Sequence, residues 1–233
     1  MKRRTKTIIY LAAAGLIAAA AIALALRSYF AVPESLAAMA QRYPETRELV
    51  DQYRFLAGRH QKIDVSGELA AGEIPLFIQW DARWGLEDYG GGYMAVNACG
   101  PTCLSMVVCG LTGDAAWNPY ATALYSDSHG YYLPGTGTAW GLMTEGAQAL
   151  GLRVSEGEIS AAYILAHASP ATPLICSMTP GDFTTGGHFI VLTGVDEEGL
   201  VIVNDPNSRR NSEKHWDAAV LATQMKAIWI YSL

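Results

Sequence analysis

The chain has 233 residues, with 16 Lys and Arg against 22 Asp and Glu and a formal charge of −6. That length holds one core of about 150 to 200 residues with something to spare. Four of the basic residues sit at the very start, which leaves 12 basic against 22 acidic side chains from Arg27 onward. So acidic a body, without a basic stripe, argues against nucleic acid and anionic lipid as partners.

In chain order, Lys2, Arg3, Arg4 and Lys6 come first, and Ile8 to Leu26 then runs without a charge. A helix of about 19 such residues, rising about 1.5 Å each, crosses a hydrocarbon layer of ~30 Å. Basic residues ahead of the span keep the N-terminus in the cytoplasm and send the remainder outside. Residues 1–30 are therefore read as a basic tail and a signal-anchor or transmembrane helix. A cleaved signal peptide is the competing reading, with Ala23-Leu24-Ala25 as the cut, although the uncharged run exceeds the usual ~7–15 residues. Both readings put the body outside the cytoplasm.

Residues 31–73 read as a helical stalk and linker. Pro44 to Tyr53 has proline and acid in its first turn, and Leu49, Val50 and Tyr53 on one stripe. It is either a spacer or the first helix of the domain that follows. Gln61 to Glu73 is polar and contains glycine, as a linker does. Residues 74–233 have the texture of a packed α+β domain. Ile74 to Ile78 is a short apolar strand, and 79–97 is loop. Pro101 to Val108 is an apolar helix that Gly110 closes. A second helix runs from Thr138 to about Leu150, ahead of Gly151. Leu174 to Met178 is a buried strand. His188 to Thr193 and Leu200 to Asn204 form a hairpin around Asp196-Glu197-Glu198-Gly199, and Ala227 to Leu233 is the last strand.

Cys99 stands just before Gly100-Pro101, where the apolar helix opens. A helix N-terminus stabilises a thiolate, and Pro101 suits a first turn because its missing N–H would be unpaired there. The stretch alone leaves two readings, a nucleophile or a small residue at a turn. A thiol nucleophile needs a base and an orienting group. Of five histidines only His188 starts an apolar strand, after Gly186-Gly187. Antiparallel pairing about the turn brings His188 opposite residue 205 or 206, beside Asp205. Asp205 then either orients the imidazole or initiates an Asp-Pro turn. Gln79 follows the first strand and is best placed to offer a side-chain amide to an oxyanion. Cys103, Cys109 and Cys176 read as core. Cys99 and Cys103 lie four apart on one helix and are poorly oriented to bridge; no C-x-x-C or zinc spacing occurs.

Four stretches together carry a resemblance: Ile74-Pro75-Leu76-Phe77-Ile78-Gln79-Trp80, Ala98-Cys99-Gly100-Pro101-Thr102-Cys103, Gly187-His188-Phe189-Ile190-Val191 and Asn204-Asp205-Pro206-Asn207. In this order the chain resembles the bacterial double-glycine-leader-peptidase-like cysteine peptidases, family thirty-nine of the papain-like proteins. The resemblance implies a papain-like α+β fold, a nucleophile-bearing helix packed on an antiparallel sheet. It implies Cys99 as nucleophile, His188 as base and then acid, Asp205 as its orienter and Gln79 at the oxyanion. Leader peptidases proper are fused to an exporter; no Walker motif or second span occurs here, so the chemistry is implied and the leader reaction is not. The expected protein is an extracytoplasmic thiol hydrolase acting through an acyl-thioester, without metal or cofactor. Its substrate would be a peptide or peptide-containing cell-envelope material. A transferase using the same residues and a silent surface binding module are the alternatives.

Overall fold

The computed structural model describes residues 2–29 and 31–233; side chains at 2–7, 12 and 26–29, including the basic groups expected at the N-terminus and Arg27, lie outside the described residues. Helix α1 (Lys2–Tyr29) is continuous. Its stretch Ile8–Ala25 is long and apolar enough to cross a membrane and none of it is buried against the chain, which fits a membrane span and a signal sequence alike.

The next segment is helical in pieces: α2 (Glu34–Arg42), a 3-10 turn Pro44–Thr46, α3 (Arg47–Val50) and α4 (Tyr53–Leu56). The sequence suggests one helix over 44–53. The Thr46 hydroxyl instead donates to Tyr43 O at 2.7 Å, a local bond that competes with the helical ladder. Leu36, Met39, Leu49 and Tyr53 cluster with Ile78, Trp80 and Ala95 of the body. Burying one such side chain stabilises by about 1.5–3 kcal/mol. Three or four of them hold the segment down. The polar stretch after it is tied as well: Val65 joins the main core, and Arg83 donates to Asp64 O at 3.2 Å and to Glu68 Oε2 at 3.1 Å.

The strand expected over Ile74 to Ile78 does not form: these residues join no ladder, and Gln79 begins a turn. Pro75 has no N–H to give, and the Asn204 side-chain amide donates instead to Ile74 O at 3.1 Å and Pro75 O at 3.0 Å. A two-stranded ladder, β1 (Asp88–Tyr89) with β2 (Gly92–Tyr93), leads into α5 (Met94–Asn97) and α6 (Cys99–Thr112). Helix α6 runs through Gly110 and ends at Gly113, in the left-handed region at φ 72°. Gly110 serves another purpose. A Cβ there would stand 2.5 Å from Ile74 Cδ1 and 3.0 Å from Glu73 O, so glycine lets the 73–74 segment lie on the helix. After α7 (Pro119–Ser128), the region expected as one helix over 138–150 divides. Thr138 ends β4 (Gly137–Thr138), which pairs with the preceding β3 (Tyr132–Leu133), and a 3-10 turn Trp140–Leu142 and α8 (Glu145–Ala149) follow. Gly141 and Gly146 weaken a continuous helix there.

The remainder is one antiparallel sheet of β5 (Arg153–Glu156), β6 (Leu174–Met178), β7 (His188–Val195), β8 (Val201–Asn204) and β9 (Met225–Ser232), in the order β5-β9-β6-β7-β8. Alternate residues face opposite layers. Ile175, Phe189, Val191, Trp229 and Tyr231 meet the core around α6, while Leu174, Cys176, Ile190, Leu192 and Ile228 meet Ile164 of α9 (Ala161–His167) and Leu221. Both faces of β6 and β7 are therefore buried. The sheet thus lies between helical layers, with α6 against β7.

Candidate active site

Helices α5 and α6 meet at Ala98, and Cys99 is the first residue of α6. The thiol is half-buried, whereas Cys103, Cys109 and Cys176 are buried; all four are free. Gly100 beside it is a close-approach position. A Cβ would stand 2.6 Å from Thr138 Oγ1, so only glycine lets β4 reach the helix end. Thr138 is fixed in turn through the Tyr89 hydroxyl at 3.0 Å, which also bonds Ser126 Oγ at 2.8 Å.

His188 opens β7 opposite Met178, facing the start of α6. On its other side β8 pairs Asn204 with Val191, with an irregularity between Leu192 and Gly194. The chain leaving β8 then brings Asp205 under the ring: His188 Nε2 and Asp205 Oδ1 are 2.7 Å apart, with His188 6% and Asp205 1% exposed. Asp205 is the expected neighbour of His188, but the register carries 188 opposite 207 rather than 205 or 206, and Asp205 reaches the ring only because the chain leaves the ladder after Asn204. Asp205 is held on every side. Oδ1 also accepts the Asn207 N–H at 2.8 Å, Oδ2 accepts Asn211 Nδ2 at 2.8 Å, and its own N–H donates to Ser212 Oγ at 2.9 Å.

With Nε2 taken by Asp205, Nδ1 is the nitrogen left for the thiol. Burial works against a charge on His188, but the Asp205 carboxylate, its hydrogen bond and then Cys99 outweigh it, and the pKa is pushed up to about 10. Cys99 stands close enough to the ring for its side chain to favour the charged imidazole, and such contacts commonly tighten further around substrate. Burial pushes the Cys103 and Cys176 thiols up, Cys109 to about 12, so none of the three favours a thiolate.

Gln79 is 3% exposed. Its Nε2 donates one hydrogen to Ala95 O at 2.7 Å, and its backbone N–H donates to Pro206 O at 2.8 Å, next to Asp205. The second amide hydrogen has no protein acceptor. Gln79, Cys99 and His188 line one open cleft of about 670 Å³, with Asp205 behind the ring. Gly186 and Gly187 border it with nothing within 4 Å of their Cβ positions. Besides His188, the charged side chains lining the cleft are Arg42 of α2 and Lys226 of β9, and no acidic side chain lines it. Among the described residues no group of His, Cys, Asp and Glu is arranged to hold a metal.

Sequence reasoning brings the four residues together but overlooks those that hold them. Asn211 and Ser212 were signalled only by Ser208, which caps their short helix by accepting the Asn211 N–H at 3.1 Å. The cleft wall supplied by α2 had no local signal.

A thiol at a helix end, facing an imidazole carried on an antiparallel sheet, is an arrangement that a cysteine peptidase can use. The comparison with known families is specific on this point: the model of the Peptidase_C39 like family matches residues 72–232, and the chain belongs to that family. No curated protein matches it significantly. Helices α1 to α4 precede the matched residues.

Proposed function

We propose that the protein is a membrane-anchored, papain-like cysteine peptidase whose body, residues 74–233, works outside the cytoplasm on a peptide or peptide-containing envelope substrate. The observation that supports it is the buried His188–Asp205 pair beside the one half-open thiol of the chain. In this reading His188 Nδ1 already holds the Cys99 proton in the resting pair, as its raised pKa favours, and the Sγ thiolate attacks the scissile carbonyl carbon. The free Gln79 Nε2 hydrogen and the Cys99 N–H receive the oxyanion. The imidazolium, held by Asp205, gives its proton to the departing amine, and an acyl-thioester stays on Cys99. His188 then deprotonates a water, which attacks the thioester and releases the acid and the thiol. An amine in place of that water would make the enzyme a transferase, which product masses distinguish.

The uncharged glycine borders leave room for an extended peptide backbone, and Arg42 and Lys226 favour acidic side chains flanking the cut. Incubating the full chain with a mixed peptide library tests this by mass spectrometry. The expected result is cleavage enriched for Asp and Glu near the cut and absent in Cys99→Ala; uncut peptides with either chain contradict the enzyme and favour a binding module. Gln79→Ala is expected to lower turnover by about 10²–10³-fold with the Cys99 alkylation rate retained, the usual cost of one oxyanion donor. An unchanged turnover removes Gln79 from the mechanism.

A further inference from the structure

Glu45, in the 3-10 turn after α2, lies outside the residues shared with the family, yet it reaches the chain that follows Asp205. Its Oε1 accepts the Ser208 hydroxyl, and its Oε2 accepts the N–H of Arg209 at 2.9 Å and of Arg210 at 3.3 Å. Those N–H groups open the helix α10 (Arg209–Glu213), where they have no partner within the helix and a carboxylate is favoured. The Arg209 guanidinium is also placed, 2.7 Å from Glu48 Oε2 and stacked 4.3 Å from the Trp80 ring. Helix α10 carries Asn211 and Ser212, the two side chains that grip Asp205 at Oδ2 and at its N–H.

We infer that Glu45 is a positioning residue for the active site: it fixes α10, α10 fixes Asp205, and Asp205 sets the His188 ring toward Cys99. The segment ahead of the family's own residues is then part of the enzyme, as a cleft wall through α2 and as a clamp through Glu45. This inference rests on the proposed reading of Cys99 and His188 as the reacting pair.

Alkylation of Cys99 by iodoacetamide, measured on the full chain in detergent, reads the clamp without a known substrate. Glu45→Ala is expected to lower the Cys99 rate near neutral pH by roughly tenfold, the effect of losing charge-assisted hydrogen bonds. It is also expected to lower the midpoint of the His188 ring titration, followed by NMR, from about 10. The groups that raise the charge on that ring are Asp205, from the end of β8, and Cys99, from α6; both stay in the variant. A role confined to stability would lower the unfolding temperature and leave the ring titration alone. Glu45→Gln keeps an oxygen acceptor and is expected to recover part of the rate. A wild-type rate and titration in Glu45→Ala overturn the inference, and if that variant does not fold, the same result in Glu45→Gln does so. A wild-type chain whose Cys99 rate ignores His188 removes the proposed chemistry instead, and the clamp's role with it.

Discussion

Replacing His188 with alanine is expected to lower peptide cleavage by on the order of 10⁴-fold or more, the scale seen when one member of a coupled nucleophile–base set is removed. Two losses combine. Cys99 no longer has an acceptor for its proton, and the leaving amine no longer has a donor. No other histidine lines the cleft to take over. Rates must be compared on folded protein, because the variant also strands Asp205, 1% exposed, without its partner. Turnover in folded His188→Ala within tenfold of wild type contradicts the assignment.

Asp205→Ala has the second largest expected effect, and its sign depends on pH. In the wild type His188 has a folded-state pKa of about 10, above the ordinary ~6.5 of an unfolded histidine. The folded state thus holds the proton more tightly. The pair's contribution to stability is full below about pH 6.5 and is lost as pH rises through about 10. Without Asp205, burial, the largest influence on the ring, acts against the charge, and His188 turns into a group that prefers to be neutral. Denaturant unfolding across this range is expected to show a deficit of about 3–5 kcal/mol at the acid end, narrowing toward pH 10. Turnover is expected to fall by roughly 10³–10⁴-fold. In stability Asp205→Asn is milder, since Asn211 can turn its amide to face the new side chain, whereas its turnover is expected to fall by the same order because an amide lets the imidazole take the wrong tautomer. A deficit that is flat with pH removes the ion pair from the account.

The site was legible because its chemistry is written in residue types that cannot be exchanged and in a turn that counts residues. Asp196 accepts the Glu198 and Leu200 N–H groups and Gly199 takes φ 80°, and that tight turn puts Asp205 within reach of His188, although the register Val191 with Asn204 carries 188 opposite 207 and the contact is made by the chain leaving the strand. The runs Leu174–Met178 and His188–Thr193 read as strands, and the second extends to Val195; both faces are covered, so apolar residues need not alternate. The helix ends were less legible. Gly110 has the composition of a helix stop, but the close approach of Ile74, a contact distant in sequence, decides its role. Pro75 and Asn204 together replace a strand ladder with side-chain bonds, which periodicity cannot reveal. The stretch 34–56 looks like a spacer because Leu36, Leu49 and Tyr53 share a cluster with Ile78, Trp80 and Ala95, partners distant in sequence.

The central claim is that Cys99 is a nucleophile made reactive by His188, and site-resolved alkylation of the full chain near neutral pH tests it most directly. Iodoacetamide labelling, mapped by mass spectrometry in wild type and His188→Ala, is expected to modify Cys99 alone. The rate should collapse in the variant, while Cys103, Cys109 and Cys176 stay unlabelled in both, as buried thiols do. Equal labelling of Cys99 in the two proteins, or label arriving first at any of the other three, would contradict the account.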